Sequence, residues 1–149
     1  MQTSVSPILF FAILAGVVAL VATVVAFRMR PVKQSRIAVA VAILPASLML
    51  TLFYSLAIHM HQSLGAWPTS IGERGFPPGL ISHDSIATNY FTILLLVSIF
   101  AWPVAFLLCV LIRRWRVGVY YLGVYAFTCL VCFGAMFLAP GQFLNWWWD

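Results

Sequence analysis

Three histidines, His59, His61 and His83, and the acid Asp84 fall within one stretch, 59–89, of a chain that is otherwise nearly all apolar. Neutral imidazole and carboxylate are ligands for zinc, iron or copper, so these four residues are the candidate metal site. Their spacing sets a condition. His59 and His61 would lie about 200° apart on a helix but on one side of an extended strand, so joint ligation requires the preceding helix to have ended by His59. His83 and Asp84 would then have to fold back. No recognised zinc spacing is present, and the competing reading is of interfacial histidines bonded to backbone, water or lipid headgroups. Paired axial histidines for a haem would project from within the spans, and the apolar runs contain none.

A second candidate is thiol chemistry at Cys129-Leu-Val-Cys132, since an i,i+3 pair shares one helix face. On this CxxC and on the helix count, the chain resembles the vitamin K epoxide reductase and DsbB-like membrane thiol oxidoreductases. That resemblance implies a reactive pair beside a quinone. Those families also carry a second, exoplasmic cysteine pair, which this chain lacks, and its third cysteine, Cys109, lies near the other end of the preceding span. The competing reading is that Cys129 and Cys132 are small apolar core residues. A third candidate is a polar stripe, Ser47, Thr51 and Ser55, leading at four-residue steps to His59. With Asn89 and Thr92 it would line a cleft facing the helices. Alternatively, the hydroxyls bond back to carbonyls one turn earlier.

The elements that must position these groups are membrane spans. Charged residues make up 7% of the 149 residues, against about 25% in soluble domains, and mean hydropathy is +1.05. The net charge of +5 does not point to nucleic acid. Seven of the eight basic residues sit in two short clusters, 28–36 and 113–116, the pattern of cytoplasmic turns facing anionic lipid. Apolar runs at about 8–27, 37–58, 90–112 and 117–139 predict four spanning helices, each about 30 Å long at 1.5 Å per residue. The first run is followed rather than preceded by basic residues, the reverse of a cleavable signal, which predicts a retained helix with a translocated N-terminal tail. No Asp, Glu, Lys or Arg lies inside the runs, which argues against a proton pump or ion-coupled transporter.

Packing expectations follow from residue size. Small residues at Ala12, Ala15/Gly16, Ala19, Ala22/Thr23 and Ala26 form a seam for a partner helix, and the second helix, with Ala38, Ala42 and Ala46, is the nearest one. Pro45 and Pro103 should bend their helices. In the long loop, Trp67, Ile71, Phe76, Leu80 and Ile81 should hold it over the outer mouth of the helices, with His59, Asn89 and Thr92 beneath. Ser82 or Asp84 should cap the lead into the third helix. The terminal Phe143-Leu-Asn-Trp-Trp-Trp-Asp149 reads as an interfacial aromatic anchor.

The expectation is therefore an all-α integral membrane four-helix bundle, two antiparallel hairpins joined by a long exoplasmic loop, 59–89. Both termini would be exoplasmic, in a bacterial inner membrane. Its partners would be the lipid bilayer and another membrane protein or a second copy. The function this favours is a non-catalytic accessory or assembly subunit of a larger membrane complex. The alternatives are a metal- or cofactor-binding protein using the histidines, and a membrane thiol/quinone oxidoreductase using the CxxC.

Overall fold

A computed structural model of the chain describes residues 7–29, 34–67 and 76–149, with side chains from Gly16 onward. Among these residues it is all helical: α1 (Pro7–Arg28), α2 (Arg36–Leu64), α3 (Pro78–Leu96), α4 (Trp102–Leu111), α5 (Arg116–Met136) and α6 (Gly141–Trp148). Three stretches, Arg36–Leu64, Pro78–Leu111 and Arg113–Met136, are long and apolar enough to cross a membrane, and Gly16–Arg28 is a shorter apolar segment.

Two helix ends lie elsewhere than the histidines and turn formers suggested. α2 continues through His59 and His61 to Leu64, because the stop signal is Gly65. That residue takes a left-handed φ of 67° and donates its amide to the His61 carbonyl at 3.0 Å, the usual glycine helix stop. α3 begins at Pro78, well before the expected 90, and neither Ser82 nor Asp84 caps it. Pro78 at the first helical position loses nothing by lacking an N–H, and the Pro77 carbonyl accepts the amides of Leu80 and Ile81 at 2.9 and 3.1 Å. The segment read as a loop, 59–89, is thus largely helix. Ile71, Glu73 and Arg74 lie outside the described residues, as do the side chains of Ala12 and Ala15.

The third apolar stretch is not one regular helix. Val97–Ala101 form a π-helical turn between α3 and α4, ending two residues before Pro103. Proline lacks the amide that Ile99 would receive in a regular helix, and its ring crowds that carbonyl; the wider turn relieves both.

The chain divides into two compact units, residues 1–43 with 102–130, and residues 44–101 with 131–149. In the first, Ala22, Thr23 and Ala26 of α1 are buried, and Gly123 of α5 lies close against Ala22 and Ala26. A methyl group at Gly123 would overlap the Ala26 Cβ, with the Ala26 Cα at 3.5 Å and the Ala22 carbonyl oxygen at 3.8 Å. This is a small-residue seam of the kind that lets helix backbones approach in lipid. Phe27 packs edge-on against Tyr120 and Phe127, and Trp102 donates its indole N–H to the Leu122 carbonyl at 3.0 Å. Cys109 lies against Gly118, whose added Cβ would stand 2.9 Å from Sγ. At the start of α2, the Ser35 amide donates to the Tyr121 hydroxyl at 3.0 Å.

The second unit has the larger core. α2 contributes Ala46, Met49, Phe53, Leu56, Ala57 and Met60, an apolar stripe at three- and four-residue spacing. This stripe faces inward, so the neighbouring hydroxyl stripe does not: Thr51 is exposed, and Ser47 and Ser55 are half-buried. Leu80, Ala87, Met136, Ala139 and Phe143 complete the core. Tyr54 donates to the Ala135 carbonyl at 2.7 Å, and Tyr90 to the Pro45 carbonyl at 3.1 Å. The terminal aromatics are helical. They form α6, which buries Phe143 completely and sets Trp147 edge-on against Phe53.

Candidate histidine site

The histidine site is built from α2 and α3. Ser55 and His59 stand one turn apart on α2, and α3 carries His83 to both. Ser55 Oγ lies 3.1 Å from His83 Nε2, and the Nδ1 atoms of His59 and His83 are 3.0 Å apart. The two rings tilt by 35° with centroids 5.3 Å apart. All three residues are half-buried.

Proton counting limits what this chain of groups can do. The serine hydroxyl has one proton, and the Leu52 carbonyl 3.0 Å away can accept it. Ser55 Oγ must then accept from His83 Nε2–H, and the bare His83 Nδ1 accepts from His59 Nδ1–H, leaving a lone pair on His59 Nε2. If the hydroxyl turns to His83 Nε2 instead, the protons run the other way and His59 Nε2 carries hydrogen. The arrangement therefore has two neutral states, each making both the Ser55–His83 and the His83–His59 bonds, that differ in whether the remaining His59 Nε2 can accept or donate. Such a pair can relay a proton or present one imidazole nitrogen to a partner.

No family model, curated protein or solved structure matches the chain. The site must therefore be judged on its own geometry.

The four-residue metal set is not assembled. Because α2 runs past His61, that ring points away from His59 and stacks on Trp67, with centroids 4.6 Å apart. Asp84 instead accepts a hydrogen bond from Thr88 at 3.3 Å. Among the described residues, no three of His, Cys, Asp or Glu converge as ligands.

The polar cleft does not form as a unit either, because its hydroxyls are used within their own helices. Thr51 donates to the Ser47 carbonyl at 2.9 Å and Thr92 to the Thr88 carbonyl at 2.9 Å, while the Asn89 amide donates to Ser85 Oγ at 3.2 Å. Only Ser55 reaches another helix. Trp67 and Phe76 do anchor the ends of the connecting segment, but on α6: Trp67 lies 6.0 Å from Phe143 and Phe76 lies 6.2 Å from Trp146, ring centre to ring centre. Cys129 and Cys132 are half-buried in α5, and among the described residues neither forms a disulfide with the other or with Cys109.

One group of residues escaped the reading of the sequence. Asp84, Thr88, Trp146, Trp147 and Asp149 line a shallow depression of about 230 Å³. The signal was present in the i,i+3,i+4 spacing of Phe143, Trp146 and Trp147, which predicts a helix with one aromatic face rather than a flat belt.

The imidazole pair makes a testable prediction. His83→Leu leaves the His59 Nδ1 without its partner and is expected to cost about 1–3 kcal/mol of stability. Adding His59→Leu removes the stranded group, so the double variant should lose clearly less than the sum of the singles. A double-mutant cycle by denaturant unfolding in detergent measures this; strictly additive losses would mean that the rings do not interact.

Proposed function

We propose that the chain is a small four-span membrane protein, with α1 as the first span, acting as a non-catalytic accessory or assembly subunit of a larger membrane complex. The observation that carries this reading is the Pro78–Leu111 stretch. Only 6% of its apolar window is buried within the chain, against 22% and 28% for the other two long stretches. Ile93, Val97 and Phe100 in the second unit, and Val104, Leu107 and Leu111 in the first, are all exposed. An exposed apolar helix face of this kind can carry the helix of a partner subunit.

The partner would be released by trimming this face. Phe100→Ala with Leu107→Ala, residues that lie outside the chain's own core, should reduce co-purification of a stoichiometric partner about tenfold, equivalent to about 1.4 kcal/mol. The chain's own melting temperature should hardly change. Native purification with quantitative mass spectrometry reads both, and a wild-type chain that purifies without any stoichiometric partner would remove the proposal.

In the orientation we propose, the basic turns 28–36 and 113–116 are cytoplasmic, and both termini and the histidine pair are exoplasmic, in a bacterial inner membrane. The support is the placement of the arginines and lysines beside the apolar stretches. In a cysteine-free background, Ser35→Cys and Ser63→Cys, at the two ends of α2, should react with an impermeant maleimide from opposite faces, Ser63→Cys from outside. Labelling of Ser63→Cys from the cytoplasm alone would invert the arrangement.

A further inference from the structure

We propose that the depression lined by Asp84, Thr88, Trp146, Trp147 and Asp149 binds an organic ammonium group, either the amine headgroup of a lipid or a small soluble amine. The argument begins with charge. The chain has three acidic residues and a net charge of +5, yet two of the three acids, Asp84 and Asp149, line this one depression. Neither carboxylate forms an ion pair with lysine or arginine among the described residues; Asp84 accepts a bond from Thr88 at Oδ1 and also interacts electrostatically with His83.

The remaining walls decide which cation is suited. A bare metal ion needs three or more hard ligands at short range, and no such group exists among the described residues. Two indoles beside two carboxylates instead suit a large, weakly hydrated cation, which gains from the negative face of each ring as well as from the acids. The Trp146 Nε1 is buried without a hydrogen-bond partner among the described residues, and its ring stacks on Phe143, which fixes this wall of the depression. A volume of about 230 Å³ leaves room for a trimethylammonium group.

α6 is the element that makes the site. It brings Trp146, Trp147 and Asp149 against α3, and its own position is held by Phe143 in the core. Tryptophans of this kind settle at the headgroup level of a bilayer, where lipid amines are concentrated. The lipid source rests on the membrane orientation proposed above, but recognition of an ammonium does not, so the two can fail separately.

The test uses the full chain in detergent, titrated with tetramethylammonium chloride against sodium chloride at matched ionic strength and followed by tryptophan fluorescence. The same spectra are recorded in nanodiscs of phosphatidylcholine and of phosphatidylglycerol. A saturable response to tetramethylammonium but not sodium, weakened at least tenfold in Asp84→Asn/Asp149→Asn, establishes the site for soluble amines. A difference between the two nanodiscs that the double variant abolishes establishes it for the lipid headgroup. Asp149→Asn alone, at an exposed residue outside the core, should weaken either response severalfold without changing the melting temperature. The proposal is overturned if tetramethylammonium and sodium act alike and the two nanodiscs give the same spectrum, or if the double variant responds as the wild type does.

Discussion

Gly123→Ala should destabilise the protein by about 2–3 kcal/mol, and Ala26→Gly in the same chain should restore most of the loss. Intrinsic helix preference runs the other way, since alanine is favoured over glycine by about 1 kcal/mol in a helix interior, so the substitution would help if the site were open. It is not open. The new methyl group would overlap the Ala26 Cβ, and behind that atom stand the Ala26 Cα at 3.5 Å and the Ala22 carbonyl oxygen at 3.8 Å. These are backbone atoms of α1 and cannot rotate aside, so α1 and α5 would have to move apart and lose the contacts along the seam. Moving the methyl from one helix to the other conserves the volume between them. Thermal unfolding in detergent of the two single variants and the double variant measures the exchange. A Gly123→Ala chain as stable as the wild type would mean that α1 does not approach α5 here.

Phe143→Ala should be the most damaging single truncation in the second unit, at about 3–5 kcal/mol. Phe143 has no exposed surface and lies 5.0 Å from Phe53, 5.8 Å from Trp146 and 6.3 Å from Trp147, ring centre to ring centre. Its side chain is the main attachment of α6 to α2, so its removal leaves a cavity and releases the short helix. The expected readouts are a lowered unfolding midpoint, a red-shifted tryptophan emission and faster proteolysis between Met136 and Gly141. Leu138→Ala is the matched control, because Leu138 is 82% exposed and its truncation should change stability by less than about 0.5 kcal/mol. Equal effects from the two substitutions would show that α6 is not docked through Phe143.

Some of the candidate site was legible in the residue order. His59 and Ser55 are one turn apart on any helix, so their shared face was predictable once α2 was known to continue. What hid the continuation was composition: His59 and His61 look like the start of a loop, whereas the stop comes at Gly65, where a left-handed φ is needed. The early start of α3 was likewise encoded in Pro77-Pro78, a pair that reads as a turn but also suits a helix N-terminus. The inward face of α2 was written in Met49, Phe53, Leu56 and Met60, a larger apolar stripe beside the polar one.

The amino-acid sequence by itself determined the helical character of the chain, its long apolar stretches, the grouping of the basic residues and the absence of charge within the runs. These are local properties, set by composition and by a periodicity that needs only neighbouring residues. Tertiary structure decided which distant segments meet. The α1 seam meets Gly123 of α5, His83 reaches His59 while His61 turns to Trp67, and α6 folds Phe143 into the core and brings Asp149 to the same depression as Asp84. Each pairing depends on the register between helices far apart in the chain, which is set by how side-chain volumes fit across an interface and leaves no periodic mark on either segment alone.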